Sequence, residues 1–558
     1  MIRTVIRYAA LAVVVGLGAC DLAVKNPNQP ETQRVLASPV DVESLLGNYY
    51  KRWHSGMWGS TANVQGMTNV QSFEDYSSLS NNCMGQRVGI PRAPNDNSIG
   101  NGCAAEQSRV YFYMSEVNRV ASSILATLGT TGFTLGSTNQ DNRAKAFGQF
   151  LRGVSLGYAS LIYDSAAVVD PTTAAQDPGK LVGYQDVSAA SMDALQKAID
   201  AANAPGAGSG GFPLPSGWIP STTSMTQVEF VKLVRSYRAR FRAGVARTPA
   251  ERAAVDWTAV IADAQNGITA DHDNITNTTT GPFNSWVSNF YAYGTWHQMA
   301  PFVVGMADNS GSYAAWIAQP LADRGAGNTP FFMTTPDLRF PQGATRAAQQ
   351  ADFAITSCNS ASTTCKRYFV NRPNGNDVYS GNGYGWSNYD HARFWSWRTS
   401  GDGTSQNGKL TFFTLAEVNM LEAEGQIVKG NFAAAAALIN KTRTRNGLAA
   451  ITALDNTTQV PGGVDCVPKV PIGPNYTTVA CGNMMEAMKY EKRIEEAYTG
   501  FAQWFIDMRG WGDLPAGTGI HFAVPYAELQ ARGYAPSAIY STGGGTNPGS
   551  AVKGTYGW

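Results

Sequence analysis

Two groups of carboxylates stand out as chemistry-bearing: Glu417, Glu422 and Glu424, then Glu491, Glu495 and Glu496 beside Lys492 and Arg493. A glycoside hydrolase needs two carboxyls facing one sugar across a cleft. Glu417 and Glu424 are seven apart and share a helix face. That face is expected to be solvated, or salt-bridged to Arg443, Arg445 or Arg493, so no catalytic residue is assigned. His54, His272, His297, His391 and His521 are scattered, without an HExxH pair, and no zinc site, other metal or cofactor is expected. "ADHDNITN", residues 270–277, spaces Asp271, Asp273 and Asn274 loosely like a calcium loop. It lacks the Gly and terminal Glu of an EF-hand, so a turn is expected there. No GxSxG, Walker or dinucleotide fingerprint occurs with the flanking elements it requires.

Aromatic rings mixed with amides give a stronger lead. A sugar ring has an apolar C–H face that can lie on an aromatic ring, whose own face carries a negative quadrupole. Neighbouring Asn, Gln, Asp or Arg can then read the hydroxyls. Three stretches offer that mixture. Residues 54–78 contain Trp58, Asn63, Gln65, Asp75 and Tyr76; residues 283–299 contain Trp286, Tyr291, Tyr293 and Trp296; residues 382–398 contain Trp386, Asn388, Tyr389 and Asp390. The candidate ligand-binding residues are Trp58, Asn63, Tyr76, Trp286, Tyr291, Trp296, Trp386, Asn388 and Tyr389. Trp395, Trp397, Trp504, Phe505 and Trp511 are assigned to the core.

The start of the chain bears on where such a site would work. Residues 1–19 carry Arg3 and Arg7, an apolar run from Ala9 to Leu17, and the small pair Gly18-Ala19. This is the layout of a secretory signal, too short to cross a bilayer. Leu17-Gly18-Ala19-Cys20 resembles a bacterial lipobox, with Cys20 as lipid anchor and mature N-terminus. The seven cysteines support that reading, because removing Cys20 leaves an even six in local couples: Cys83 with Cys103, Cys358 with Cys365, Cys466 with Cys481. Three local disulfides suit an exported protein, although six cysteines allow 15 connectivities. Residues 20–37 then form a tether, with Pro27 and Pro30 delaying helix to about Ser38.

The elements that must position these residues are mostly helical. Ser38 with Pro39 opens one helix. Residues 142–164 repeat an apolar face through Phe147, Leu151, Val154, Tyr158 and Leu161. Further helices are expected over 186–203, from 224, after Thr248 with its capping box, and over 256–268. In 411–448, Ala416, Met420, Ala423 and Ile427 line one face, Gly430 ends a first helix and Asn431 caps a second, a tetratricopeptide-like pair. Residues 482–515 supply a last helix and an aromatic tail. Residues 269–408 show no sustained period, and so long an irregular stretch is usually functional. The expected divisions are therefore 1–19 signal, 20–37 tether, 38–268 N-terminal helical part, 269–408 loop-rich insertion and 409–558 C-terminal helix pairs.

Composition removes some classes. The chain has 42 basic and 41 acidic residues and no long Lys/Arg run, so a nucleic-acid partner is not expected. Charged residues make up only 15%, while there are 58 Gly, 13 Trp, 24 Tyr and 23 Phe, which fits ordered loops on an exported protein rather than disorder.

The pairing of "LAEVNMLEAEGQIVKGNFAAAAALINKTRTRNGL" with "EKRIEEAYTGFAQWFIDMRGWGDLP" resembles the C-terminal signature of SusD/RagB-type outer-membrane lipoproteins. "CDLAVKNPNQP" and "AFGQFLRGVSLGYASLIYD" are similar to that family's mature start and early helix. One departure is Asp164-Ser165, where the family carries a Gly-Asp step; it should alter one loop. The resemblance implies a mainly all-α fold, a tetratricopeptide-like helix-pair scaffold with long irregular, aromatic-rich ligand-facing loops. It implies a lipid-anchored protein on the cell-surface face of the outer membrane, touching the membrane only through its N-terminal lipid. Its partner would be a SusC-type TonB-dependent β-barrel transporter, and its ligand an oligosaccharide or peptide. Asp21 beside the lipid cysteine is tied by some bacterial sorting rules to inner-membrane retention; the resemblance implies the outer surface. The alternatives are a helical-scaffold glycoside hydrolase and a structural lid subunit that binds no free ligand.

Overall fold

The computed structural model describes residues 32–60, 63–76, 84–90, 92–208, 210–221, 223–277, 283, 298–324, 331–352, 367–372, 387–394, 407–534, 551 and 554–558. Helix α1, Pro39–Trp58, starts as expected: the Ser38 side chain accepts from Asp41 N at 3.3 Å, with Pro39 in the first turn. A short helix, Thr32–Leu36, precedes it where none was expected. Pro30 constrains the residue before it and leaves the following residues free to turn. Next come α2 (Val64–Gln71), α3 (Ala104–Leu128), α4 (Thr138–Ile162), α5 (Tyr184–Ala202), α6 (Gln227–Gly244) and α7 (Trp257–Gln265). The full capping box falls at Thr226–Glu229 on α6. At the predicted box, Thr248 caps Glu251 N, but the Glu251 carboxylate is taken by Arg247 N and the Tyr184 hydroxyl.

Helix α4 anchors this half. Phe147, Leu151, Val154, Tyr158 and Leu161 are all fully buried. Its flanks are buried too, because glycines let neighbours close in. A Cβ at Gly148 would press on Leu125 of α3, at Gly153 on Leu195 of α5, and at Gly157 on Phe241 of α6. The single predicted stripe is thus wrapped on three sides.

The C-terminal part holds α8 (Leu415–Val428), α9 (Phe432–Arg445), α10 (Met484–Glu496) and α11 (Gln503–Trp511). Gly430, at φ +76°, turns α8 into α9, a left-handed position that suits glycine. Asn431 begins α9, yet its amide donates to Gln426 Oε1 at 2.9 Å instead of capping. Met420, Ala423 and Ile427 pack with Ala435, Ile439, Met484 and Met488 in an apolar cluster of their own.

Short antiparallel strand pairs tie the loops down: β1 (Ser165–Ala167) with β2 (Leu181–Gly183), β3 (His272–Asn277) with β6 (Asn407–Phe413), β4 (Phe369–Asn371) with β5 (Tyr389–His391), and β7 (Lys469–Ile472) with β8 (Thr478–Cys481). Residues 272–277 are therefore a strand, and the turn expected over 270–277 is corrected. The cause is β6, whose Leu410-Thr411-Phe412-Phe413 lies far along the chain and supplies the ladder. β3 and β6 together close a neck around everything between them. Cys466 and Cys481 are disulfide-bonded at the base of the β7–β8 hairpin, and Cys103 is also in a disulfide. Cys20, Cys83, Cys358 and Cys365 lie outside the described residues. Among the described residues, no helix is long and apolar enough to cross a membrane.

Candidate functional site

The turn after α1 is held by Asn63. Its Oδ1 accepts from Gln65 N at 3.4 Å, and its Nδ2 donates to Gly56 O and Met57 O at 3.1 and 2.8 Å. Beyond α2, Phe73 takes left-handed backbone, φ +63°, and swings the chain into Glu74-Asp75-Tyr76. Tyr76 makes a two-way backbone bridge with Gln298, at 2.7 and 3.2 Å. Met299 N then donates to Tyr389 O at 2.9 Å, and Ser387 Oγ donates to Met299 O at 2.6 Å. Asn388 N donates to Phe331 O at 3.0 Å, and Arg372 N donates to Asn388 O at 2.7 Å. The three aromatic–amide stretches, far apart in sequence, thus meet at one backbone junction.

Buried groups brace that junction. Arg372 Nη1 and Asp390 pair at 2.6 Å with both side chains fully buried. The Tyr389 hydroxyl lies 2.8 Å from Met333 O and 2.9 Å from Gln349 Oε1, and accepts from Met333 N at 3.2 Å. Burial holds its phenol above the usual range. Phe340 stacks on Phe369 at 4.2 Å, Phe73 stacks on Phe302 at 4.0 Å, and Trp558 meets Phe73 and Phe302 edge-on. Glu74 accepts from Tyr498 N at 2.7 Å. Burial pushes its carboxyl up to about 8, with the Tyr498 N–H opposing and Asp75 adding to the shift.

The described candidates are footings of this junction rather than a ligand-facing surface. Trp58 is 1% exposed, donates Nε1–H to Gly500 O at 3.2 Å and lies edge-on to Phe412 at 4.3 Å. Asn63, Tyr76, Asn388 and Tyr389 are equally enclosed. Side chains so covered present no face to solvent in this structure. Trp286, Tyr291, Trp296 and Trp386 lie outside the described residues, as do Trp395 and Trp397; Trp504, Phe505 and Trp511 are buried as expected. Asn371 Oδ1 and Asn388 Oδ1 are buried acceptors without a hydrogen bond among the described residues. Sequence reading missed Arg372 and Ser387, whose roles depend on a junction no local pattern shows.

The signature carboxylates do different work, and with different partners than expected. Glu417 accepts from Arg240 Nε at 2.6 Å, Arg240 Nη2 at 2.5 Å and Gln503 Nε2 at 3.0 Å, entirely out of solvent. Glu424 takes Arg252 and Trp511 Nε1. Both were expected on a face served by Arg443, Arg445 or Arg493; α6 and the short helix Pro249–Ala253 cover that face first. Glu491 binds Arg339 and lies 3.6 Å from Arg443, while Glu495 reaches Arg339 and Arg445. Arg493 and Asp513 form another enclosed pair. Glu422, by contrast, accepts from Gln265 at the surface.

A scan against protein-family models matches none, and a search of curated proteins also matches none. Solved structures do match. A SusD-like carbohydrate-binding protein from Bacteroides fragilis aligns at 12% identity and TM-score 0.50, over 87% of this chain and 89% of its own. A SusD homologue from Bacteroides vulgatus aligns at 13% identity and TM-score 0.49, over 90% and 96%. The first of these shows the fold: this chain shares the mainly helical architecture of SusD-like proteins.

Proposed function

We propose that this chain, built on the SusD-like fold, is a lipid-anchored, surface-exposed binding protein that captures an oligomeric nutrient, a glycan, and delivers it to a TonB-dependent barrel without altering it. The observation that carries the capture step is the junction, where three separately chosen aromatic–amide stretches are seated together. Fixed footings let adjoining loop residues face one ligand from several sides, which lowers the ordering cost of binding. The SusD-like protein from B. fragilis is a carbohydrate-binding one, which points the same way. The non-catalytic reading is supported by Glu417, Glu424, Glu491 and Glu495, each committed to a cation and none free to protonate a leaving group. Anchoring at Cys20 and delivery to a barrel rest on the leader, the odd cysteine and the sequence resemblance.

The test uses purified mature chain against a panel of neutral polysaccharides, with binding read by affinity electrophoresis and turnover read by reducing ends. Binding without reducing-end release is expected, and it should be lost in the Trp286→Ala, Trp296→Ala, Trp386→Ala triple variant. Reducing-end release would make the chain a hydrolase. Unimpaired capture by the triple variant would move the site off the junction.

A further inference from the structure

Away from the junction, a cavity of about 220 Å³ opens where three distant segments meet: residues 317–324, the tip of the β7–β8 hairpin and residues 556–558. Trp558 and Tyr556 are buried rings in its lining. Trp558 is fixed by its Nε1–H donated to Asp513 O at 2.9 Å, and Tyr556 by its hydroxyl on Glu486. Tyr476 sits at the hairpin tip in left-handed backbone, φ +53°, with its ring laid so closely on Gly557 that any Cβ there would overlap it. The Cys466–Cys481 bond staples the hairpin that carries Tyr476 and Asn475. Rings on several sides with a few amides between them is the composition of a small-molecule pocket. Its size is below the roughly 300–1,000 Å³ of drug-sized sites, so it has room for one ring.

Arg324 gives this cavity a preference. It is 92% buried and beside Trp316 at 4.8 Å, with Nε donating to Gln319 O and Nη2 to Ile317 O. Among the described residues, its Nη1 makes no hydrogen bond and no carboxylate pairs with it. Asp323, its neighbour in the chain, is exposed. Burial pulls the guanidinium below its usual range, and only the Tyr313 phenol acts against that. Arg92, also buried without a carboxylate, instead directs both terminal nitrogens to backbone carbonyls. An enclosed cation facing a cavity gains most from a ligand that brings the missing carboxylate, because an Arg–carboxylate contact is charge-assisted and fork-shaped.

We infer that this cavity is a second glycan subsite, selective for a carboxylated sugar ring: the ring lies against Tyr476, and its carboxylate meets Arg324. Trp558 also braces the junction through Phe73 and Phe302, but Arg324 and Tyr476, on which this inference turns, take no part in it, so the inference and the proposed capture site stand or fall separately.

Calorimetric titration of the full mature chain with digalacturonate, and with its carboxyl-reduced counterpart digalactose, tests it. Digalacturonate should bind at least about tenfold more tightly, the scale of a hydrogen bond to a charged group. Raised salt should erode the difference. Arg324→Gln should bring the acidic sugar down to the neutral one, Arg324→Lys should fall between, and Tyr476→Ala should weaken both. The two-ligand comparison on unaltered protein needs no variant to fold. Equal affinity for the two sugars, absence of digalacturonate binding, an unchanged affinity in a folded Arg324→Gln variant, or tighter binding of a peptide C-terminal carboxylate would each overturn the subsite.

Discussion

The helical frame and the loop junction are held by opposite means. In the frame, long side chains reach between helices, and several buried carboxylates are paired with an arginine: Glu417 with Arg240, Glu424 with Arg252, Asp513 with Arg493. At the junction, main chain does most of the joining, through Tyr76 with Gln298, Met299 with Tyr389 and Asn388 with Phe331. Ion pairs specify partners by residue type, so the frame tolerates few changes. Backbone bridges accept almost any side chain, so loops can change their displayed residues and keep their seats. A binding protein that must suit different ligands on one scaffold gains from that division.

The sharpest way to break the contrast is to strand one frame charge. Glu417→Ala leaves Arg240 buried and alone, and should cost about 3–5 kcal/mol in urea unfolding. Burial weakens the Arg240 cation while Glu417 sustains it, so the loss reaches a group that depends on its partner. A cost near zero would mean the frame is not built on these pairs.

A second test uses pH at the edge of the junction. Below about 4.5, Glu74 holds a proton in both folded and unfolded chain; from there to about 8 only the folded chain keeps it. Stability contributed by this group therefore falls as pH rises through that window, by about 1.4 kcal/mol per unit at most. Glu74→Gln should flatten that slope relative to the unaltered chain, and parallel curves would place Glu74 among ordinary carboxylates. The smallest effect belongs to the junction itself. Ser387→Ala removes the hydrogen bonds to Met299 O and from Tyr389 N and should cost about 1–2 kcal/mol, with ligand capture largely kept because the backbone bridges remain. A loss as large as that of Glu417→Ala would erase the distinction between the two regions.

Much of the frame was legible in the sequence because it is written locally. Ser38-Pro39, the face from Phe147 to Leu161, and the Gly430-Asn431 turn each follow from residues within a few turns of one another. Even so, α3 went unread, although Val110, Met114, Val117, Ala121, Ile124 and Leu128 carry a helical period that its Asn- and Gly-rich approach obscures. The site was legible only as composition. Aromatics with amides marked three stretches that the fold brings together, but not which residues would be covered. Trp58 and Tyr389 have the chemistry of ligand contacts and the positions of struts, and only tertiary packing separates the two. The partners of Glu417 and Glu424 were misjudged for the same reason, since Arg240 and Arg252 lie in an earlier part of the chain.

The neck formed by β3 and β6 also has a consequence in time. Thr411 donates to Asp273 across a separation of 138 residues, whereas the helix pairs on either side of it are neighbours in sequence. Loop-closure entropy rises only slowly with length, so the finished neck is affordable, but contacts of such long range form late. Helix pairs adjacent in sequence, such as α8 with α9, can therefore form before the neck, whereas ion pairs such as Arg240 with Glu417 close a loop longer still.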